Sequence, residues 1–257
     1  MNNFAKKIEN TKVEKDSLAI FWLWQGSFVF KTSKGKVVGV DPYLSDSMKR
    51  VYDFDRMLPI PMRPEELRTD LILFTHDHLD HLDPDTILAL PQDCYTKFVA
   101  PLLCYHHLLE IKIDRDRIIK IDRDETKEID GIKVTAVHAE HTDYSVGYVL
   151  VFDGITVYIS GDTKHHHKLK EVASFHPDVV LIGANGKPKG PYCNLDENEA
   201  ALLTKAINPK VVIPMHYGVF EYVHEDPQKF VDALKKHEVP AKCVVMESKS
   251  CYLYKKQ

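Results

Sequence analysis

The segment Thr75-His76-Asp77-His78-Leu79-Asp80-His81 places three histidines and two carboxylates within seven residues, directly behind the apolar run Leu71-Ile72-Leu73-Phe74. Folding alone does not ask for this arrangement, because crowded imidazoles repel one another as pH falls toward their ordinary pKa of about 6.5. A divalent ion does ask for it, since neutral imidazole nitrogen and carboxylate oxygen are its ligands. A strand delivering the chain to a tight loop aims His76 and His78 at one ion. The loop then turns Asp80 and His81 toward a second ion close by.

Four more polar sites fall where apolar runs end. Residues 134–137 lead into His138-Ala139-Glu140-His141, and 157–160 lead into Gly161-Asp162-Thr163. Residues 211–215 lead into His216-Tyr217-Gly218, and 37–40 lead into Asp41. Each alone reads as an ordinary turn. Together they form a ligand set that converging strand ends can hold on one rim. The triple His165-His166-His167 follows Asp162 closely, but at a helix start its expected place is solvent.

The elements that must position these groups are legible from period and punctuation. Residues 18–24 and 27–30 read as strands around Gln25-Gly26, and the turn at 33–36 leads to a strand over 37–40. A loop with Pro59, Pro61 and Pro64 precedes the strand 71–74. Asp83-Pro84 supplies an N-cap and first helical residue for a helix through Leu90. A strand at 97–100 is followed by a helix from Pro101 to about Ile111. The second half repeats the rhythm: a strand over 132–137, a hairpin of 146–152 and 155–160 around Asp153-Gly154, and a buried strand at 179–182. Asp196 with Glu199 forms a capping-box pattern for a helix through Ala206, followed by a strand at 211–213 and a helix at 227–235. This predicts an α/β chain in which two packed sheets are covered by helices outside, with 1–257 as a single domain.

Composition sets the limits. The chain has 257 residues, 44% hydrophobic and 28% charged, which is enough to bury a substantial core. A formal charge of -4 leaves no basic surplus for phosphates, so no nucleic-acid partner is expected. The five cysteines, Cys94, Cys104, Cys193, Cys243 and Cys251, are widely spaced with no CxxC pair. That fits reduced thiols in a cytoplasmic protein. The first fifteen residues lack the apolar core of a signal peptide, and no run reaches membrane-spanning length. A homo-oligomer stays open.

In this order, HxHxDH, a strand-end histidine, Gly-Asp-Thr and a late histidine resemble the ligand series of the metallo-β-lactamase-fold hydrolases, over nearly the whole chain. Residues 40–46 (Val-Asp-Pro-Tyr-Leu-Ser-Asp), 75–83, 139–141, 160–163 and 213–218 look like the L-ascorbate-6-phosphate lactonase group and its uncharacterised relatives, as do Asn185-Gly186 and Asn194. The resemblance implies a four-layer αββα sandwich with a centre for two divalent ions, zinc or manganese, at the strand-end rim. His76, His78 and His141 would hold the first ion. Asp80, His81 and His216 would hold the second, with Asp162 bridging the two. His138 competes with His141, which is preferred because the family's histidine follows a small-residue pair. Asp41 would brace the loop from behind the ligands. Asn185, Lys187 and Tyr217 would face a small anionic substrate.

The chemistry so implied is hydrolysis of an ester or lactone, such as a sugar-phosphate lactone. Two ions sharing a water lower its pKa to about 7, so no serine nucleophile is required. Asp80 or the shared water would pass a proton to the leaving oxygen, and Asp162 would fix the ions' separation. Two other classes remain open on sequence: a phosphodiesterase or nuclease, and a non-catalytic metal or metabolite sensor. Against the sensor, every ligand position is filled.

Overall fold

The first half of the chain runs α1 (Asn3–Asn10), β1 (Ser17–Trp22), β2 (Phe28–Thr32), β3 (Val37–Val40), α2 (Ser47–Tyr52), β4 (Leu71–Leu73), α3 (Pro84–Leu88), β5 (Lys97–Ala100), α4 (Leu102–Glu110) and β6 (Ile118–Lys120). The second half runs β7 (Thr126–Ile129), β8 (Ile132–His138), β9 (Val146–Phe152), β10 (Ile155–Ile159), a 3₁₀ stretch (His167–Phe175), β11 (Val179–Gly183), α5 (Glu197–Ile207), β12 (Val211–Met215), α6 (Pro227–Lys236), β13 (Lys242–Cys243) and β14 (Cys251–Lys255). The computed structural model describes residues 2–186, 194–221, 226–247 and 249–256.

The strands form two seven-stranded sheets, ordered β14-β1-β2-β3-β4-β5-β6 and β13-β12-β11-β10-β9-β8-β7. Each half builds its sheet the same way. An antiparallel meander (β1-β2-β3, then β7-β8-β9-β10) continues into parallel pairs (β3-β4-β5-β6, then β10-β11-β12-β13). Among the described strands β14 alone crosses over, pairing antiparallel with β1.

Side chains alternate across a strand, so a strand buried on both faces must be apolar throughout. Leu18, Ile20 and Trp22 of β1 join Phe28, Phe30, Val38 and Val40 in a core shared with Val134, Tyr148, Leu150 and Phe152 of the other sheet. The ring of Phe30 stacks on Phe152 with centroids 5.4 Å apart. Ala19, Phe21 and Val29 face outward onto Phe4, Ile8, Ile87, Cys104 and Leu108 of the helical layer. On the opposite side Val149, Tyr158, Val180 and Ile182 pack against Leu169, Ala200, Leu203 and Phe230. The architecture is therefore the expected α/β sandwich, in the layer order helix, sheet, sheet, helix.

Local differences from the sequence reading have physical reasons. The helix begun by Asp83 and Pro84 ends at Leu88 rather than Leu90, because Pro91 bars helical backbone just before it. Asp196 and Glu199 form the expected capping box on α5. The residues of α1 include three buried apolar positions, Phe4, Ala5 and Ile8, which seat an otherwise polar helix on the first sheet. Pro214 lacks an N–H yet lies inside β12; β13 pairs only with Val211 and Val212 and has ended before the proline is reached. Among the described residues, Cys94, Cys104, Cys243 and Cys251 form no disulfide. No described helix is long and apolar enough to cross a membrane.

Candidate metal centre

The parallel strands deliver their carboxyl ends to one rim. His76 to His81 follow β4, His141 follows β8, Asp162 follows β10 and His216 follows β12. The chain makes these positions available by unusual backbone: Asp41 and His216 adopt positive φ (45° and 64°), as does Gly161 (58°). A Cβ on Gly161 would lie 2.9 Å from the Cβ of Thr75, so glycine is what lets the Asp162 loop close on the histidine segment.

Three imidazole nitrogens meet first. His78 Nδ1 lies 3.0 Å from His76 Nε2 and 3.2 Å from His141 Nε2. Neutral rings cannot all donate to one another at such spacing. Ligands around one ion with Zn–N bonds of ~2.0–2.1 Å stand roughly 3.3 Å apart, close to the spacing seen. Asp80, His81 and His216 form a second group whose ligand atoms all lie within 4.8 Å of one another. Here His216 Nε2 is 3.2 Å from His81 Nε2 and 3.5 Å from Asp80 Oδ2. Asp162 stands between the groups, with Oδ2 3.6 Å from His141 Nε2 and 3.2 Å from His216 Nε2. Its Oδ1 is buried, accepts no hydrogen bond, and lies 3.5 Å from His81 Nε2. The donor set fits divalent ions at both groups. His138, the competitor of His141, stands outside both groups, with its Nε2 3.2 Å from Glu140 Oε2.

The surrounding bonds engage the Nδ1 of His81 and of His76 and so direct Nε2 of each ring toward the site. Asp41 is buried and takes the Thr75 amide on Oδ1 (2.8 Å) and the Thr75 hydroxyl on Oδ2 (2.6 Å). The same Oδ2 lies 2.8 Å from His81 Nδ1, so Nδ1–H donates to it and Nε2 keeps its lone pair. The Thr75 oxygen, its own proton given to Asp41, accepts from His76 Nδ1–H at 3.0 Å and leaves His76 Nε2 open. Asn194 donates to Asp162 Oδ2 (2.9 Å).

Burial and charge then divide the rings. Burial, with the neighbouring His81, holds His76 well below the usual histidine range. Burial pushes His141 down to about 4 against the pull of Asp162. His216 goes the other way: burial opposes its charge, but Asp162 and Asp80 overcome it and carry the ring up to about 10. His81 is raised as well, with burial outweighed by Asp162, Asp80 and Asp41. Asp80 and Asp162 lie below the ordinary carboxylate range, because the charges of His81 and His216 outweigh the burial that opposes ionisation.

Two residues expected to face substrate sit differently. Tyr217 is buried, with its hydroxyl donating to the Met246 carbonyl (3.4 Å) and its ring against Trp22 (4.8 Å), which places it in the core instead of the site opening. Asn185 is buried with its amide 3.1 Å from His216 Nδ1, where it orients that ring. Lys187 lies outside the described residues. One residue was missed by the sequence reading. Gln25, fully buried in the turn after β1, donates from Nε2 to Asp80 Oδ2 (2.9 Å) and lies 3.3 Å from His216 Nε2. Its sequence showed only a turn before glycine; Gly26 is needed because a Cβ there would come within 2.8 Å of His81 Cε1.

A histidine–aspartate rim between two sheets of this order defines a class, and the comparisons agree with it. The family model described as Beta-lactamase superfamily domain matches residues 19–216. A UPF0173 metal-dependent hydrolase of Thermoplasma acidophilum is 32% identical over 81% of this chain and 88% of its own length. One from Archaeoglobus fulgidus is 29% identical over 93% of this chain and all of its own. The solved structure of Igni18, a metallo hydrolase from Ignicoccus hospitalis, superposes with a TM-score of 0.77 at 23% identity, covering 94% of this chain and 100% of that one, and at that identity speaks for the fold. The chain belongs to the beta-lactamase superfamily, within its UPF0173 group of metal-dependent hydrolases.

Proposed function

We propose that this chain hydrolyses a small anionic ester or lactone at a centre of two divalent ions, zinc or manganese. The observation that carries the reading is the position of Asp162, within 3.6 Å of a ligand nitrogen from each group, where one carboxylate would serve both sites. Bound ions would supply Lewis acidity, activating a water and polarising the scissile carbonyl. His76, His78 and His141 would hold one of them, and Asp80, His81 and His216 the other. Asp80 would take a proton from the attacking side and return it to the leaving oxygen, held in place by the Gln25 amide.

The test combines elemental analysis after reconstitution with a panel of lactones, carboxylic esters and phosphoesters. Bound zinc or manganese with lactone or ester turnover is the expected result, and Asp162→Ala should abolish turnover while circular dichroism stays unchanged. Absence of any bound transition metal would sink the reading. Turnover confined to phosphodiesters would move the chain to the phosphodiesterases.

A further inference from the structure

Outside this centre a second kind of cluster stands on the same two loops. His138 closes β8, and its Nε2 lies 3.2 Å from Glu140 Oε2. The ring of His166 packs against that of His138 with centroids 4.3 Å apart. One ligand atom from each of His138, Glu140 and His166 lies within 4.8 Å of the other two. His166 is half-buried, whereas His165 and His167 beside it are exposed, so one member of the histidine triple is drawn inward.

The alignment of the atoms is informative. His138 Nε2 is buried and makes no hydrogen bond among the described residues, although a carboxylate oxygen stands 3.2 Å away. The two atoms are close without pointing at each other. That is the disposition of two ligands directed at a common third point, which for Zn–N and Zn–O bonds of ~2.0–2.2 Å puts ligand atoms roughly 3.3 Å apart. Lys164 Nζ lies 3.9 Å from Glu140 Oε1; its side chain is exposed and can swing aside.

We propose that His138, Glu140 and His166 form a third cation site, for a borderline divalent ion such as zinc, separate from the main centre. Two imidazoles and a carboxylate are an established zinc donor set, with a fourth position left to water. The loops it joins are already stitched together: the Glu140 amide donates to Thr163 Oγ1 (2.9 Å), and the Lys164 amide donates to the Glu140 carbonyl (2.9 Å). These loops carry His141 and Asp162. An ion at the third site therefore fastens the backbone beneath two main-centre ligands without touching either.

Zinc alone is the probe. Metal-stripped full chain is equilibrated with buffered free zinc, and bound ion is measured by elemental analysis across the titration. The unmodified protein should take up a weaker equivalent after the tight ones. His166→Gln and Glu140→Gln should each weaken that last step by at least about tenfold, since removing a ligand should cost no less than the 10–100-fold of an outer-shell change. The tight steps should be unchanged. Anomalous diffraction at the zinc edge should place a peak between His138 and His166. A last step insensitive to both substitutions, or no such peak, overturns the proposal and leaves the main centre standing. The number of tight ions tests the two-ion reading on which the word third rests. A weak step that survives Asp162→Ala but is lost in His166→Gln upholds the site even if that reading fails.

Discussion

At the scale of single residues, the groups behind the ligands decide how well an ion is held. Gln25→Ala removes the donor on Asp80 and opens space beside His216; Asn185→Ala frees the His216 ring to turn. Each should cost about 10–100-fold in metal affinity, the range typical of such bracing residues, with the fold intact. Competition by a chelator reads this directly, and unchanged affinity in both variants would make the two amides mere filling. Protonation separates the two groups. With His141 pushed down to about 4, a proton competes for it only in acid, so zinc entering the first group at neutral pH displaces little. His216, raised to about 10 by Asp162 and Asp80, is protonated at neutral pH when no ion is bound, so zinc entering the second group must release that proton. Proton release in weak buffer should therefore accompany filling of the second group, and lowering the pH should empty that group first. The histidines and aspartates were legible because metal chemistry demands rare residue types at fixed spacing. Gln25 was not, nor were the actual contacts of Asn185 and Tyr217, since an amide or phenol has the same local sequence whether it faces a ligand, a neighbour or the core.

Among the elements, strands and caps were the most readable. Runs such as 146–152 and 155–160 around Asp153-Gly154 carry their own turn chemistry, and β9 and β10 pair across it from Ile155 opposite Phe152. Helix α1 and strands β6, β7 and β14 were passed over, because short polar or mixed segments acquire their structure from the sheet they join. The α5 capping box offers a clean measurement: Asp196→Ala should lower stability by about 1 kcal/mol, seen as a smaller denaturation midpoint with unchanged slope. Gly26→Ala should act differently. Its Cβ would press on His81, so the loss should appear in metal retention at the second group more than in stability. A variant that binds metal normally would show that the turn can shift as a unit.

For the whole molecule, each ligand group draws on both halves of the chain. His76 and His78 come from the first half and His141 from the second, while Asp80 and His81 are completed by His216. Ions bound here would hold the two sheets together, and a ligand present at a hundred times its dissociation constant adds about 2.7 kcal/mol. Stripping metal should lower the thermal midpoint, and restoring zinc should recover it. Phe30→Ala, which removes one ring of the stack between the sheets, should cost about 3–5 kcal/mol with or without metal. The layered architecture was foreseeable from the repeated rhythm of strands; the exchange of β14 into the opposite sheet was not, since no local pattern reveals which edge a terminal strand will choose. That exchange has a consequence for solubility. Pairing Ser17 with Lys255 through Phe21 with Cys251, β14 shields the outer hydrogen-bonding edge of β1, a wholly buried strand. Deleting 251–256 would bare a row of unsatisfied amides and carbonyls along it, the kind of template on which chains add to one another. Light scattering of the shortened chain should show self-association growing with concentration, and a monodisperse product would mean that some other segment covers the edge.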